Sequence, residues 1–186
     1  YKIPVRENLL TVKQTTQISP TQYLAVRYGR NSNSQPYNAG LRSAPTFWST
    51  STNTFNSINV NHNWVLGGSK LNEFIFQYAD FKNDIPLSSP DPYELYPNTV
   101  AIGANPNTPQ KTEQTKWQFR DDFTWSLTGK GGIGHDMKAG VNFINEPHLY
   151  TTFNSGIDSY FYQHLTDDRN GPIQLITRNG GVGDVN

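Results

Sequence analysis

Large apolar side chains recur at every second position over most of this chain, and that spacing settles its fold class before any motif is considered. Between residues 116 and 127 the odd positions are Trp117, Phe119, Asp121, Phe123, Trp125 and Leu127. The even positions are Lys116, Gln118, Arg120, Asp122, Thr124 and Ser126. Successive side chains of an extended strand point to opposite faces, so this segment is a strand with one apolar and one wet face. Residues 135–145 repeat the pattern, with Met137, Ala139, Val141 and Phe143 set against Asp136, Lys138, Gly140 and Asn142. Residues 56–66 do so through Ile58, Val60, Trp64 and Leu66, and residues 71–82 through Phe74, Phe76 and Tyr78, with Ile75 the exception. Weaker alternation runs through residues 9–19 and 23–30. Six strands are predicted, and residues 159–165 and 173–178 are candidates for two more.

The connections point to a topology. Three are short, at residues 20–22, 67–70 and 129–134. Three are long, at residues 31–53, 83–114 and a stretch opening at Glu146-Pro147, and the two kinds alternate strictly. The middle long connection holds Pro86, Pro90, Pro92, Pro97, Pro106 and Pro109, half of the 12 prolines, which predicts that it hides no strand ladder. Loops above about 12–15 residues are uncommon in compact soluble domains. Tight turns at one end and long loops at the other are the arrangement of an outer-membrane up-and-down barrel.

Composition removes other classes. The chain is 34% hydrophobic and 16% charged, with 10 Phe, 10 Tyr and 4 Trp, which favours strands and is too aromatic for disorder. Lys and Arg total 15 against 15 Asp and Glu, so no basic field exists to hold a nucleic acid. No apolar run approaches the roughly 18 residues of a membrane-crossing helix. The absence of cysteine excludes a disulfide framework, a thiolate metal site and a cysteine nucleophile. At 186 residues the chain suits a single unit spanning 1–186. Residues 1–10 contain neither an initiating Met nor a leader-like apolar core, and residues 180–186 are loop-like, so a mature product or a piece of a longer chain is expected.

Strand length supports the barrel expectation. Trp117 and Trp125 are eight residues apart on one face, roughly 26 Å at about 3.3 Å per residue. A tilt near 40° reduces this to a height of roughly 20 Å, close to the apolar band of about 25 Å between the aromatic girdles of a transmembrane barrel. Trp64, Tyr78, Trp117 and Trp125 are therefore the expected membrane-interface aromatics, with Trp64 at nearly the level of Trp125. A soluble β-sandwich produces the same alternation. It would bind carbohydrate or another ligand through exposed Trp48, Tyr93 and Tyr96.

Three stretches resemble the barrel of the Oar-like branch of TonB-dependent outer-membrane receptors. They are Leu24-Ala25-Val26-Arg27-Tyr28-Gly29-Arg30 with its continuation to Tyr37, Lys116-Trp117-Gln118-Phe119-Arg120-Asp121-Asp122-Phe123-Thr124-Trp125, and Met137-Lys138-Ala139-Gly140-Val141-Asn142-Phe143 with its continuation to Pro147. The order and spacing fit over most of residues 9–178. The resemblance implies a bacterial outer-membrane location and a barrel of about 22 strands around a plug, of which six to eight strands are about a third. The sequence given contains no plug, energy-coupling box, N-terminal sandwich domain or terminal aromatic closing strand. Active uptake is thus an expectation for a whole receptor rather than for this segment. The implied partners are outer-membrane lipid, the remainder of a larger barrel or further copies of this chain, and an unidentified ligand. Closure into a small eight-stranded barrel is a further option.

Residues with catalytic potential are scattered. His62, His135, His148 and His164 are not spaced as metal ligands, and neither a metal nor a cofactor is expected. Asp121 and Asp122 are adjacent in a strand and point to opposite faces, so they cannot act jointly as a glycosidase acid and base. Asp121, on the apolar face, requires a partner from a neighbouring strand. Lys116, Arg120, Asp122 and Lys138 occupy polar positions and are the expected lumen-lining charges, with Asp122 joined to Arg120 and Lys116. Asp167-Asp168-Arg169-Asn170-Gly171 reads as a turn and only weakly as a calcium site. The run from Gly129 to Gly134 lacks the Ser/Thr and the helix of a phosphate loop and reads as a hairpin turn. Ser155, Ser159, His148 and Asp158 contain the residue types of a hydrolase triad without the elbow that positions one. No catalytic residue is assigned, and the chain is expected not to be an enzyme; the alternative is a hydrolase with a loop-borne site built on His148 or His164 and loop carboxylates.

Overall fold

The computed structural model describes residues 4–129, 132, 134–154, 160–177 and 182–185. Its strands in chain order are β1 (Arg6–Ser19), β2 (Gln22–Tyr37), β3 (Ser49–Val65), β4 (Lys70–Ile85), β5 (Glu94–Leu95), β6 (Ala101–Ile102), β7 (Gln110–Thr128), β8 (Gly134–Asn154), β9 (Tyr160–His164), β10 (Ile173–Thr177) and β11 (Val182–Val185). The main sheet runs β1-β2-β3-β4-β7-β8-β11, and each strand is antiparallel to its neighbours. The expected all-β meander is therefore present. The sheet is open: among the described residues β1 pairs only with β2, and β8 pairs beyond β7 only with the short β11. It does not close into a small eight-stranded barrel.

Two expectations are corrected, and a third is met in a place of its own. The strand β8 does not stop at Glu146-Pro147 but continues to Asn154. Its register against β7 shifts there, so that Trp117 faces Asn145 and Thr115 faces His148. The extra residue lies in a bulge, and the missing N–H of Pro147 costs no ladder bond because, among the described residues, no strand pairs with that side of β8 until residue 151. The two further candidate strands are present as β9 and β10, and they pair with each other in a separate four-stranded sheet, β10-β9-β5-β6. The proline-rich connection contributes two short strands to that sheet, because its residues 93–96 and 98–105 are free of proline.

This small sheet and the loops around it form a cap at the end of the long strands. Of the described residues that are buried, Ile85, Ser49, Ser51, Ser89, Tyr96, Ala101, Ala104, Asn105, Thr108 and His164 belong to the cap or border it, and Asp122 alone lies elsewhere. The core of the molecule is thus at its loop end. Backbone hydrogen bonds from Ala44 to Ala101 (2.8 Å) and from Tyr162 to Tyr93 (2.9 Å) join three connections that are far apart in sequence. Gly103, at φ +79°, sits against the Pro92 carbonyl where any Cβ would overlap it.

Candidate functional site

The pairing register places the alternating residues in rows that cross the main sheet. On one face Val26, Val60, Phe76, Phe119 and Phe143 stand side by side, and Val12, Tyr28, Ile58, Tyr78 and Trp117 form the next row. The rings make a continuous aromatic surface: Phe76 to Phe119 at 5.0 Å, Trp117 to Phe119 at 5.1 Å and Trp117 to Phe143 at 5.5 Å. Among the described residues no second layer covers it: the extensive contacts of the long strands are with their neighbours in the sheet. Val141 is 72% exposed, Phe143 55% and Trp64 40%. Burial of such a surface would be worth roughly 25 cal/mol for each Å².

The apolar surface ends abruptly. One row beyond Tyr78 and Trp117, the same face carries Leu10 at the β1 edge and then Arg30, Asn56, Asp80, Thr115 and His148. Past that row, Lys82 and Lys111 approach Glu113 at 3.9 and 3.1 Å. Tyr78 and Trp117 face each other directly across β4 and β7, at one margin of the band. Trp125 lies at the other margin, opposite Lys70. Trp64 is one row inside it, level with Asn72 and Phe123, and not level with Trp125. Within the band Asp121 accepts a hydrogen bond from Asn72 Nδ2 at 2.7 Å, the neighbouring-strand partner its position requires.

The opposite face is polar and hollow. Ala25, Asn61, Asn63, Glu73, Ile75, Arg120, Asp122 and Lys138, drawn from five strands, line one concavity of about 480 Å³. At its centre Arg120 holds Asp122 Oδ2 through Nε at 2.9 Å and Nη2 at 2.7 Å. Lys138 bridges from Asp122 (3.3 Å) to Glu73 (3.1 Å). Positive and negative groups alternate in this chain and cancel. Asp122 is 9% exposed, and its three close contacts offset the loss of water. Three of the four predicted charges therefore meet in one cluster. Lys116 does not join them: it pairs with Glu146 across the bulge at 3.3 Å, so Asp122 takes Lys138 in its place. Glu73 was missed by sequence reasoning, although its position opposite Phe74 and Phe76 in parity marks it for the same face.

Further toward the loops, amides form a ladder on this face. Asn83 Nδ2 donates to Asn53 Oδ1 and Asn53 Nδ2 to Asn33 Oδ1, both at 2.8 Å. Asn33 donates to Asn31 Oδ1 (3.5 Å), and Asn31 donates to Glu7 Oε1 (2.9 Å).

The remaining candidates have local partners. His62 meets Gln22 at 3.2 Å and His148 meets Glu113 at 3.6 Å. Asp168 accepts the Asn170 N–H at 3.0 Å and Asp167 the Asn98 N–H at 3.3 Å, so both serve turns. Ser155, Asp158 and Ser159 lie outside the described residues. Trp48, Tyr93 and Tyr96 are not the exposed platform a carbohydrate-binding module needs. Trp48 donates to Ser43 Oγ at 2.7 Å, Tyr93 sits between Phe47 and Phe161, and Tyr96 is 8% exposed.

Tyr96 belongs to a cluster in the cap that sequence reasoning did not find. His164, 4% exposed, stacks on Tyr96 with ring centres 3.9 Å apart, and its Nε2 lies 3.0 Å from Glu94 Oε2. Burial, followed by the nearby Glu94 carboxylate, pushes the Tyr96 phenol above its ordinary pKa. No protein-family model, curated protein or solved structure matches this chain.

Proposed function

We propose that this chain is a non-enzymatic wall segment of a bacterial outer-membrane barrel, of the Oar-like TonB-dependent receptor type that its sequence resembles. The observation that carries the membrane assignment is the uncovered aromatic band, bounded by Tyr78 and Trp117, that gives way within one row to charged side chains on the same face. A surface selected to meet water would not hold Phe76, Phe119 and Phe143 side by side, and a sandwich core would not stop without a second layer above it. Lipid is the medium that fits a band of this height. The hollow face, with Arg120, Asp122, Lys138 and Glu73, then lines a water-filled lumen, and the cap stands on the side of the long loops. The free edges of β1 and β8 are the places where the remainder of a larger barrel, or further copies, would pair. Type of receptor, uptake and ligand rest on the sequence resemblance alone.

The test is cell fractionation of the intact protein followed by extraction. Recovery in the outer-membrane fraction, with release only by detergent, is expected. A monodisperse monomer in plain buffer would overturn the membrane assignment.

A further inference from the structure

A second concavity, of about 300 Å³, lies in the cap between β5 and the β9–β10 hairpin, away from the charged cluster of the main sheet. Its wall includes Glu94, Tyr162, His164, Arg169, Asn170 and Ile173. The volume is at the small end of the range for ligand sites.

The wall is built before any ligand arrives. Glu94 and Tyr162 are cross-strand partners in the parallel pairing of β5 with β9. The Glu94 carboxylate is held by His164, which is itself fixed by stacking on Tyr96. The turn that carries Arg169 is closed by hydrogen bonds from Gly171 N to Asp168 O and from Leu165 N to Pro172 O, both 3.0 Å. The turn backbone and the Glu94 carboxylate are thus ordered beforehand, and the Arg169 side chain is the part that orders on binding. Arg169 itself makes no hydrogen bond or ion pair among the described residues, although its charge reaches the Tyr96 phenol. The cavity thus presents one unpaired guanidinium and one fixed carboxylate. A simple anion would be repelled by Glu94 and a simple cation by Arg169, whereas a ligand with both charges satisfies each. Tyr162 and Ile173 add an apolar patch beside them.

We propose that this cavity binds a small zwitterion, a free α-amino acid or dipeptide with an apolar side chain, its carboxylate on Arg169 and its ammonium on Glu94. The inference stands on the cap alone and does not require the membrane assignment.

Isothermal titration of the full-length chain in detergent solution tests it with four probes. L-leucine and leucyl-leucine should bind saturably at one site. N-acetyl-L-leucine, which lacks the ammonium, and L-leucine methyl ester, which lacks the carboxylate, should bind at least about tenfold more weakly. Arg169→Gln, at an exposed turn position that the fold does not depend on, should weaken leucine binding by a similar factor. Absence of saturation by both zwitterions, equal binding of N-acetyl-leucine, or an unchanged Arg169→Gln variant would each overturn the proposal. Failure here leaves the membrane assignment untouched. A chain that is soluble without detergent yet binds leucine would overturn the membrane assignment and keep the cap site.

Discussion

Replacing Phe119 by arginine separates a lipid-facing band from a water-facing one. Phe119 lies two residues from Asp121, the midpoint between Trp117 and Trp125, or about 6.6 Å along the strand. At a tilt near 40° that is about 5 Å from the middle of the band. Arginine at the midplane of a transmembrane barrel costs about 2–4 kcal/mol and near the interface about 0–1, so a value toward the upper range applies. The ring also contacts Phe76 (5.0 Å), Trp117 (5.1 Å) and Phe74 (6.4 Å), and losing these adds about 1–2 kcal/mol. Phe119→Arg should therefore destabilise the chain in lipid by about 3–5 kcal/mol but, without lipid, by only the ring contribution of about 1–2. Gln118→Arg is the control: its side chain faces the hollow side and loses one hydrogen bond, to Asn142 Oδ1 at 2.7 Å, worth about 1 kcal/mol. Urea titration of folding into phosphatidylcholine vesicles, read by tryptophan fluorescence, measures both variants. Equal costs for the two, or a Phe119→Arg cost that does not depend on lipid, would refute the reasoning.

Further outcomes are expected at three places in the fold: Asn72 with Asp121, the glycines Gly140 and Gly68, and Tyr96. Asn72→Ala leaves Asp121 without its partner in the apolar band and should cost about 1–3 kcal/mol in the same titration. Adding Asp121→Ala should recover most of that loss, because removing both members leaves no orphaned group. At Gly140 a Cβ would overlap Asp122 Oδ1 and stand 2.7 Å from the Asp121 carbonyl oxygen, so Gly140→Ala should displace Asp122 from Arg120 and Lys138 at a cost of about 1–3 kcal/mol. Gly68→Ala, which meets open space, should stay within about 0.5 kcal/mol in chemical denaturation. The Tyr96 phenol favours its neutral form in the fold, so its contribution is fully present below the ordinary tyrosine value of about 10 and is lost as pH rises through the higher folded value. The difference in absorbance at alkaline pH between the wild type and Tyr96→Phe should titrate later than the average of the other tyrosines; a difference that titrates with or before them contradicts the burial argument.

The central parts of the six long strands were legible because one face is apolar there and the period of two is audible in the sequence. Their loop-side ends were not. In β3 the segment Ser49-Thr50-Ser51-Thr52-Asn53-Thr54 is polar on both faces, so it carries no alternation although its backbone pairs fully with Ser32 to Tyr37 of β2. The long connections are correspondingly shorter than predicted, spanning residues 38–48 and 86–109. Pro147 looked like a strand terminator because sequence does not show that the outer edge of β8 is unpaired there. The charges of the hollow face could be assigned by parity, but not their partners: the reach of Lys138 across β7 to Glu73 depends on curvature. The cap cluster was invisible for a different reason. Glu94 and His164 are separated by two long strands, and neither has a neighbour in sequence that signals the other.

Alternation of greasy and wet positions fixes a strand only to within an even number of residues, since sliding by two returns every side chain to its own face. The amide ladder removes that freedom. A slide of β4 by two would set Asn53 against Phe81 or Ile85 in place of Asn83 and interrupt the relay. The relay also has a direction: Asn83 donates to β3, Asn53 to β2, Asn33 along β2 to Asn31, and Asn31 to the Glu7 carboxylate of β1, which can only accept. One acidic residue near the beginning of the chain thereby sets the polarity of dipoles three strands away and acts as the ratchet stop against which the sheet aligns.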